Sequence, residues 1–326
     1  MVAPEERKDL HENLLLNRLF EEKVLEVYED SGIPELPHLS LGQEAVGVGT
    51  VFALEEDDWL APSLRTRAVT LMRLSLRDVV TGMFGTESGP TEGRTTQHHL
   101  GSSEANIMGT TGMIGSHLNV AAGAGLTAQQ LGEDRVTAVF FGDGAATRGE
   151  FHTALNFAAV EDLPVIFVLE NNQWIEETRA LDVIAAEENI SEMSGHNLPK
   201  EVIDGQDVDE VLNTVSEAAE RARSGDGPTL IEAKTYRYRP HAEVIPERRD
   251  EDEIAEWKER DPVELHRDYL LDNAIVDEDW LESTRDSLME DIEDAFEFAE
   301  EDSLPDEEAM YKVYKDTDVD MYGGVR

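Results

Sequence analysis

Two short motifs carry hard oxygen donors at a spacing that can do chemistry. The first is Gly142-Asp143-Gly144, and the second is Asn171-Asn172; Asp143 and Asn172 stand 29 positions apart. Each follows an apolar run, residues 136–141 and 165–169, with one helical stretch between. Asp143 offers a carboxylate and Asn172 an amide oxygen, and the backbone just beyond can add a carbonyl. Magnesium favours such oxygen ligands in an octahedron that it shares with phosphates. Gly142 and Gly144 let backbone N–H groups approach a diphosphate near the start of the following helix. Either motif alone marks a turn or a cap. Together they make a cation and diphosphate site, provided that both strands end at one edge of a sheet.

The surrounding elements supply that condition. Residues 136–141 and 165–169 are rich in β-branched and aromatic side chains, and 229–234 reads as a further strand. Continuous apolar strands separated by helices at 150–160 and 208–223 predict a doubly wound, mostly parallel α/β sheet. In such sheets ligands bind at the carboxyl ends of the strands. Residues 10–29 carry Leu15, Leu19, Leu25 and Val27 at helical spacing. Residues 31–39 are broken by Gly32, Pro34 and Pro37 and read as a loop, 42–54 and 78–84 as helices, and 85–93 as a loop. Beyond Arg249 the pattern is acidic helices punctuated by Pro262 and Pro305. The chain divides on this reading into an N-terminal helical segment (1–35), the α/β domain (36–248) and an acidic helical C-terminal extension (249–326).

Composition excludes several classes. Cysteine is absent, which removes disulfides and thiolate-held metals. The apolar run 136–141 is far shorter than the roughly 20 residues of a spanning helix. The first residues, MVAPEERKDL, lack the apolar stretch of a signal peptide, so a cytoplasmic location is expected. Asp and Glu number 72 against 27 Lys and Arg, a net charge of −45 that opposes binding to nucleic acid or anionic membrane. The acids are spread among apolar residues, unlike a disordered tail. They suit a halophilic protein, because multimolar salt shortens the Debye length to about 3 Å and screens self-repulsion.

The stretch GDGAATRGEFHTALNFAAVEDLPVIFVLENNQW resembles the thiamine diphosphate signature of the 2-oxo acid dehydrogenase alpha subunits, which include pyruvate, branched-chain and acetoin enzymes. FEEKVLEVYEDSGI, HLSLGQEAVGVG, the Gly-Arg loop ending at His99, GMIGSHLNVAAGAG and GPTLIEAKTYRYRPH extend the resemblance over most of residues 12–270. It implies thiamine diphosphate and magnesium as cofactors, with the metal held by Asp143, Asn172 and the Trp174 carbonyl. It also implies backbone contacts to the diphosphate from Gly144 and Ala145, and cationic contacts from Arg65, Arg237 and His241. Gly112 matches a position beside the aminopyrimidine. Ile114 matches the aliphatic wedge under the bent cofactor, although sequence alone would place it in an ordinary core. His241 and His38 match histidines at the mouth and the substrate end of the active site. The chain departs from the family pattern in four places: Leu64 replaces an aromatic residue, Thr95-Thr96 a pair of glycines, Trp174-Ile175-Glu176-Glu177 a less acidic loop, and Ala242 a serine.

The resemblance implies oxidative decarboxylation of a 2-oxo acid, pyruvate or branched-chain, with acyl transfer to the lipoyl group of a dihydrolipoyl acyltransferase. The partner is a beta subunit in an α2β2 heterotetramer, and the alpha chain alone is expected to be inactive. The stripe 15–27 reads as part of the assembly surface. No serine or threonine occurs from Arg237 to Asp252, so control by phosphorylation of that loop is not expected. The loop is expected instead to be pinned through Arg237 and His241 only when the diphosphate binds, with Arg248 and Arg249 as protease sites. Acetoin dehydrogenase and a non-catalytic paralogue are the alternatives. Another kind of thiamine enzyme fits HLSLGQEA and TYRYRPH less well.

Overall fold

The computed structural model describes residues 2–30 and 32–311; Ser31 of the expected 31–39 loop and residues 312–326 of the expected extension lie outside it. Seven strands occur among the described residues: β1 (Trp59–Ala61), β2 (Thr137–Gly142), β3 (Val165–Asn171), β4 (Trp174–Ile175), β5 (Thr178–Arg179), β6 (Lys200–Asp204) and β7 (Thr229–Lys234). Five of them form one parallel sheet in the order β1-β2-β3-β7-β6, and β4 and β5 pair as a small antiparallel hairpin. The register sets Gly142 beside Glu170 and Asn171 beside Lys234. The turns bearing both motifs therefore leave from one edge.

Twelve α-helices surround the sheet among the described residues. The first seven are α1 (Pro4–Val27), α2 (Glu44–Phe52), α3 (Arg67–Arg73), α4 (Leu76–Phe84), α5 (Ser116–Leu131), α6 (Asp143–Ala146) and α7 (Gly149–Val160). They are followed by α8 (Ala180–Val183), α9 (Val208–Arg223), α10 (Glu251–Lys258), α11 (Pro262–Asp272) and α12 (Glu278–Glu301). Successive strand residues point to opposite faces, and both faces are apolar because both are covered. Val139, Phe141, Val165, Phe167 and Leu169 pack against Leu118 and Ala122 of α5 and Phe151 and Leu155 of α7. Ala138, Phe140, Ile166 and Val168 pack on the other face with Val211, Val215 and Ala219 of α9. The sheet is doubly wound, as expected.

Among the elements not foreseen, three bear on the sheet. β1 has three residues, too few to show a period. β6, KEVID, is a half-exposed edge strand whose charges mask its alternation. α5 is rich in small residues with little contrast between faces. Its Gly125 allows close approach to the sheet, since a Cβ there would meet the Val165 side chain at 2.5 Å.

The N-terminal stripe turns inward rather than outward. Leu15 and Leu19 are buried, and Leu25 and Val27 pack on the same core, together with Phe84 of α4 and Ile292 and Phe296 of α12. The Phe296 ring lies 5.7 Å from Phe20 and 6.2 Å from Phe84, centroid to centroid. Each such ring stabilises by roughly 1.5–3 kcal/mol through burial. This stripe is therefore a core within the chain, and the expectation that it forms an assembly surface is corrected. Asp250, Asp261 and Asp277 accept backbone N–H bonds at the starts of α10, α11 and α12, and Pro262 occupies the first turn of α11.

Candidate active site

The two motifs meet at the carboxyl edge of the sheet. Asp143 opens the short α6 directly after β2 and is 3% exposed. Its Oδ1 accepts from the Gly144 N–H at 2.9 Å, while the buried Oδ2 has no hydrogen-bond partner among the described residues. That Gly144 N–H is thus engaged by the aspartate. Burial pushes the Asp143 carboxyl up to about 6, against the pull of the Gly144 N–H, Arg237, Arg65 and the Trp174 N–H. Asn172 follows β3; its Oδ1 accepts from the Trp174 N–H at 3.2 Å, and its Nδ2 donates to Gln43 Oε1 at 3.3 Å. The Trp174 amide therefore touches both motifs.

The loop carrying Trp174 bends sharply. Gln173 (φ 69°) and Glu176 (φ 52°) are in the left-handed region, which non-glycine residues enter only with support. Asn171 supplies some of it: its Oδ1 accepts from the Gln173 N–H at 3.0 Å, and its Nδ2 donates to the buried Glu232 Oε1 at 2.7 Å. The two asparagines thus divide the work, one lining the cleft and the other holding the turn.

Cationic groups face the same cleft. Arg237 is 2% exposed; its Nη2 donates to the Glu176 carbonyl, while Nε and Nη1 are buried without partners among the described residues. Burial, with Arg65 and Arg249 nearby, lowers its guanidinium to about 9. Arg65 donates from Nη1 to the Leu39 carbonyl at 2.7 Å and from Nη2 to the His241 carbonyl at 3.0 Å. Burial lowers Arg65 to about 10, opposed by Glu170, Glu21 and Asp143.

His38 and His241 stand edge to face with centroids 5.0 Å apart, and His98 lies 5.1 Å from His38 on another side. Burial and then Arg65 lower His38 to about 3 and His241 to about 4, so both rings are neutral near pH 7. Arg65 Nη2 approaches His241 Nδ1 at 3.4 Å. A guanidinium only donates, so the neutral His241 ring carries its proton on Nε2.

His38, Leu64, Arg65, Ile114, Asp143, Gly144, Ala145, Asn172, Trp174, Arg237 and His241 all line one cavity of about 150 Å³. That is some ten times the 10–15 Å³ one ordered water needs. Gly112 is absent from the lining; it sits two residues before Ile114, and a Cβ there would meet nothing within 4 Å. Ile114 is 52% exposed beside the 69%-exposed Met113, so it is not an ordinary core residue. Glu176 lines the cleft, and Glu177 pairs with Arg248 at 3.0 Å.

Several lining residues escaped the sequence reading. Glu170, at the end of β3, is buried and accepts from Ser63 Oγ at 2.7 Å and Thr66 Oγ1 at 2.9 Å. Its signal was a lone acid closing an apolar strand immediately before Asn171-Asn172. Gln43 and His117 gave no comparable signal; the His117 Nε2 lies 2.7 Å from the Phe140 carbonyl. The 237–249 loop is held within the chain: Arg249 donates to the carbonyls of Arg237 at 2.6 Å and Arg239 at 2.8 Å. Arg249 is itself buried. The loop therefore has holds within the chain besides those expected through Arg237 and His241.

The donor set fits a cation and an anion side by side: an unpaired carboxylate oxygen and an amide oxygen in reach of two buried guanidinium groups. The family model described as "Dehydrogenase E1 component" matches residues 12–308. The pyruvate dehydrogenase E1 component subunit alpha of Porphyra purpurea is 37% identical over 299 residues, 89% of this chain and 87% of the relative. The chloroplastic subunit alpha-3 of that component from Arabidopsis thaliana is 35% identical over 313 residues, 94% of this chain and 73% of the relative. The alpha subunit of acetoin:2,6-dichlorophenolindophenol oxidoreductase from Bacillus subtilis is 32% identical over 309 residues, 94% and 92% of the two chains. The chain belongs to the dehydrogenase E1 component family, as an alpha subunit of the thiamine-diphosphate-dependent 2-oxo acid dehydrogenases.

Proposed function

We propose that this alpha subunit binds thiamine diphosphate with magnesium in the cleft and, with a beta subunit in an α2β2 assembly, decarboxylates pyruvate or a branched-chain 2-oxo acid. The acyl group would pass to a lipoyl-bearing dihydrolipoyl acyltransferase. The observation that carries this reading is the pairing, in one cleft, of the free Asp143 Oδ2 with the free Nε and Nη1 of Arg237. A buried charge without a partner is costly unless a ligand supplies one. Asp143, Asn172 and the Trp174 carbonyl would hold the cation, and Arg65, Arg237 and His241 the diphosphate, with the Gly144 and Ala145 backbone alongside. Ile114 would support the bend of the cofactor, with Gly112 near its pyrimidine ring. When bound, the thiazolium would serve as the electron sink for loss of carbon dioxide.

The chain's own residues then have definite tasks. Arg65 orients His241 through its carbonyl, and His241 presents an Nε2 proton to an oxygen at the mouth of the cleft. His38, neutral and packed edge-on, fixes the ring of His241 from the side. The exposed Met113 and Ile114 leave an apolar rim that a second subunit would cover. No helix among the described residues is long and apolar enough to cross a membrane, and a cytoplasmic, salt-adapted setting completes the proposal. Calorimetric titration with thiamine diphosphate, with and without magnesium, tests the site; binding that ignores magnesium would overturn it. Co-expression with a beta subunit and a panel of pyruvate, branched-chain 2-oxo acids and acetoin tests the reaction. Turnover of acetoin alone would transfer the assignment to the Bacillus-like activity, and no turnover beside tight cofactor binding would favour a non-catalytic role.

A further inference from the structure

Glu253 lies in α10, outside the sheet and away from the cleft lining, yet its carboxylate gathers donors from three places around the Trp174 loop. Its Oε1 accepts from the Trp174 indole Nε1 at 3.0 Å and from the Tyr236 hydroxyl at 3.1 Å. Its Oε2 accepts from Arg179 Nη2, on β5, at 2.5 Å. Tyr236 is a rigid post: it is fully buried and stacks on Trp257 of α10 with centroids 5.4 Å apart at 10°. The Arg249 guanidinium covers Tyr236 at 5.1 Å while bonding the Arg237 and Arg239 carbonyls. Thus α10 is fixed to the segment leaving β7, and Glu253 reaches from it to the loop.

That loop needs holding from outside. It enters the left-handed region at both Gln173 and Glu176, which non-glycine residues do only with support. Asn171 and Asn172 brace the backbone on the Gln173 side. The bond to Glu253 is the polar anchor of the Trp174 side chain among the described residues.

We propose that Glu253 is a positioning residue for the cation: through the Trp174 indole it fixes the direction of the Trp174 carbonyl and thereby the cation affinity of the site. This rests on the reading that thiamine diphosphate and magnesium bind in the cleft. Groups that orient ligands in this way typically change metal affinity by about 10–100-fold when removed.

The test uses the alpha chain assembled with its beta subunit, with thiamine diphosphate binding followed across magnesium concentrations. Glu253→Ala is expected to raise the magnesium concentration for half-maximal binding about tenfold, with affinity at saturating magnesium nearly unchanged and the melting temperature of the cofactor-free protein lowered by the lost bonds to Tyr236 and Arg179. Glu253→Gln is expected to behave like wild type, because its amide oxygen can replace Oε1 while the Arg179 ion pair is lost. Trp174→Phe should match Glu253→Ala, and the two together should add nothing further. Glu256→Ala, on the exposed side of the same helix, is the control. An unshifted magnesium dependence in Glu253→Ala, or equal damage in Glu253→Ala and Glu253→Gln, would overturn the proposal. Failure of the underlying site reading would show separately, as magnesium-independent binding in the wild type.

Discussion

The cleft and α12 use the same charged residue types in opposite ways. In the cleft, Arg65, Arg237, Asp143 and Glu170 are each less than a tenth exposed, and some of their polar atoms lack partners among the described residues. Along α12, eleven acids and one arginine occupy 24 residues, with Leu281, Ile292, Ala295, Phe296 and Ala299 forming the buried face. Taking a charge out of water costs several kcal/mol, whereas a solvated carboxylate costs almost nothing until neighbours crowd it. The net charge of −45 therefore describes surfaces like that of α12 and says nothing of a cleft where buried guanidinium groups face buried carboxylates. Individual substitutions should matter greatly in the cleft, while the acids of α12 should matter only in sum.

The largest effect is expected at Asp143. Asp143→Asn removes the free carboxylate oxygen, and magnesium-dependent binding of thiamine diphosphate should disappear in calorimetry while circular dichroism stays native. Retained binding would mean that the cleft's buried charges are structural, as those elsewhere are.

On the α12 side the apolar face should carry the stability. Phe296→Ala empties the space between Phe20 and Phe84 and should cost about 3–5 kcal/mol in denaturant unfolding. A loss below about 1 kcal/mol would show that α12 is held by something other than this core.

A smaller effect concerns the joint between α1 and α11. His11 and His266 stack with centroids 5.5 Å apart. Burial, then the neighbouring His266 and Arg267, lowers His11 to about 4; burial and Arg7 lower His266 to about 4. The folded state thus favours neutral rings, and the unfolded chain binds more protons below the ordinary histidine value of 6.5. The stability is fully present above pH 6.5 and is lost as pH falls toward 4, by at most about 3 kcal/mol for each ring. Melts from pH 7 to 4.5 should show the decline, and His266→Gln should flatten its share. An unchanged slope would place the acid sensitivity elsewhere.

The smallest effects belong to single surface acids. Glu290→Gln should change stability by less than about 0.5 kcal/mol. The whole coat should nevertheless lower the melting temperature as potassium chloride is reduced from multimolar to about 0.1 M, where the Debye length reaches about 10 Å. A melting temperature independent of salt would remove the halophilic reading and weaken the contrast with the cleft.

Legibility followed the same division. β2, β3 and β7 showed as apolar runs because both faces of the sheet are covered, and Asp143 and Asn172 stood out because polar residues directly follow such runs. Glu170 and Asn171 adjoin them but were not separated from their surroundings: one meets Ser63 and Thr66, the other Glu232, all remote in sequence. β1 and β6 were lost to shortness and edge exposure.

The order of residues alone was enough for the doubly wound sheet and for the convergence of Asp143 and Asn172 on one edge, because local periodicity and motif spacing encode these directly, while resemblance to known sequences pointed to the family. Packing decided the rest. It turned the α1 stripe inward onto Phe296, left Ile114 exposed at the cleft, and set Glu253 against Trp174. Each of these outcomes depends on which distant groups share a space and whether their polar atoms find partners there. Neither quantity exists until the chain has closed on itself.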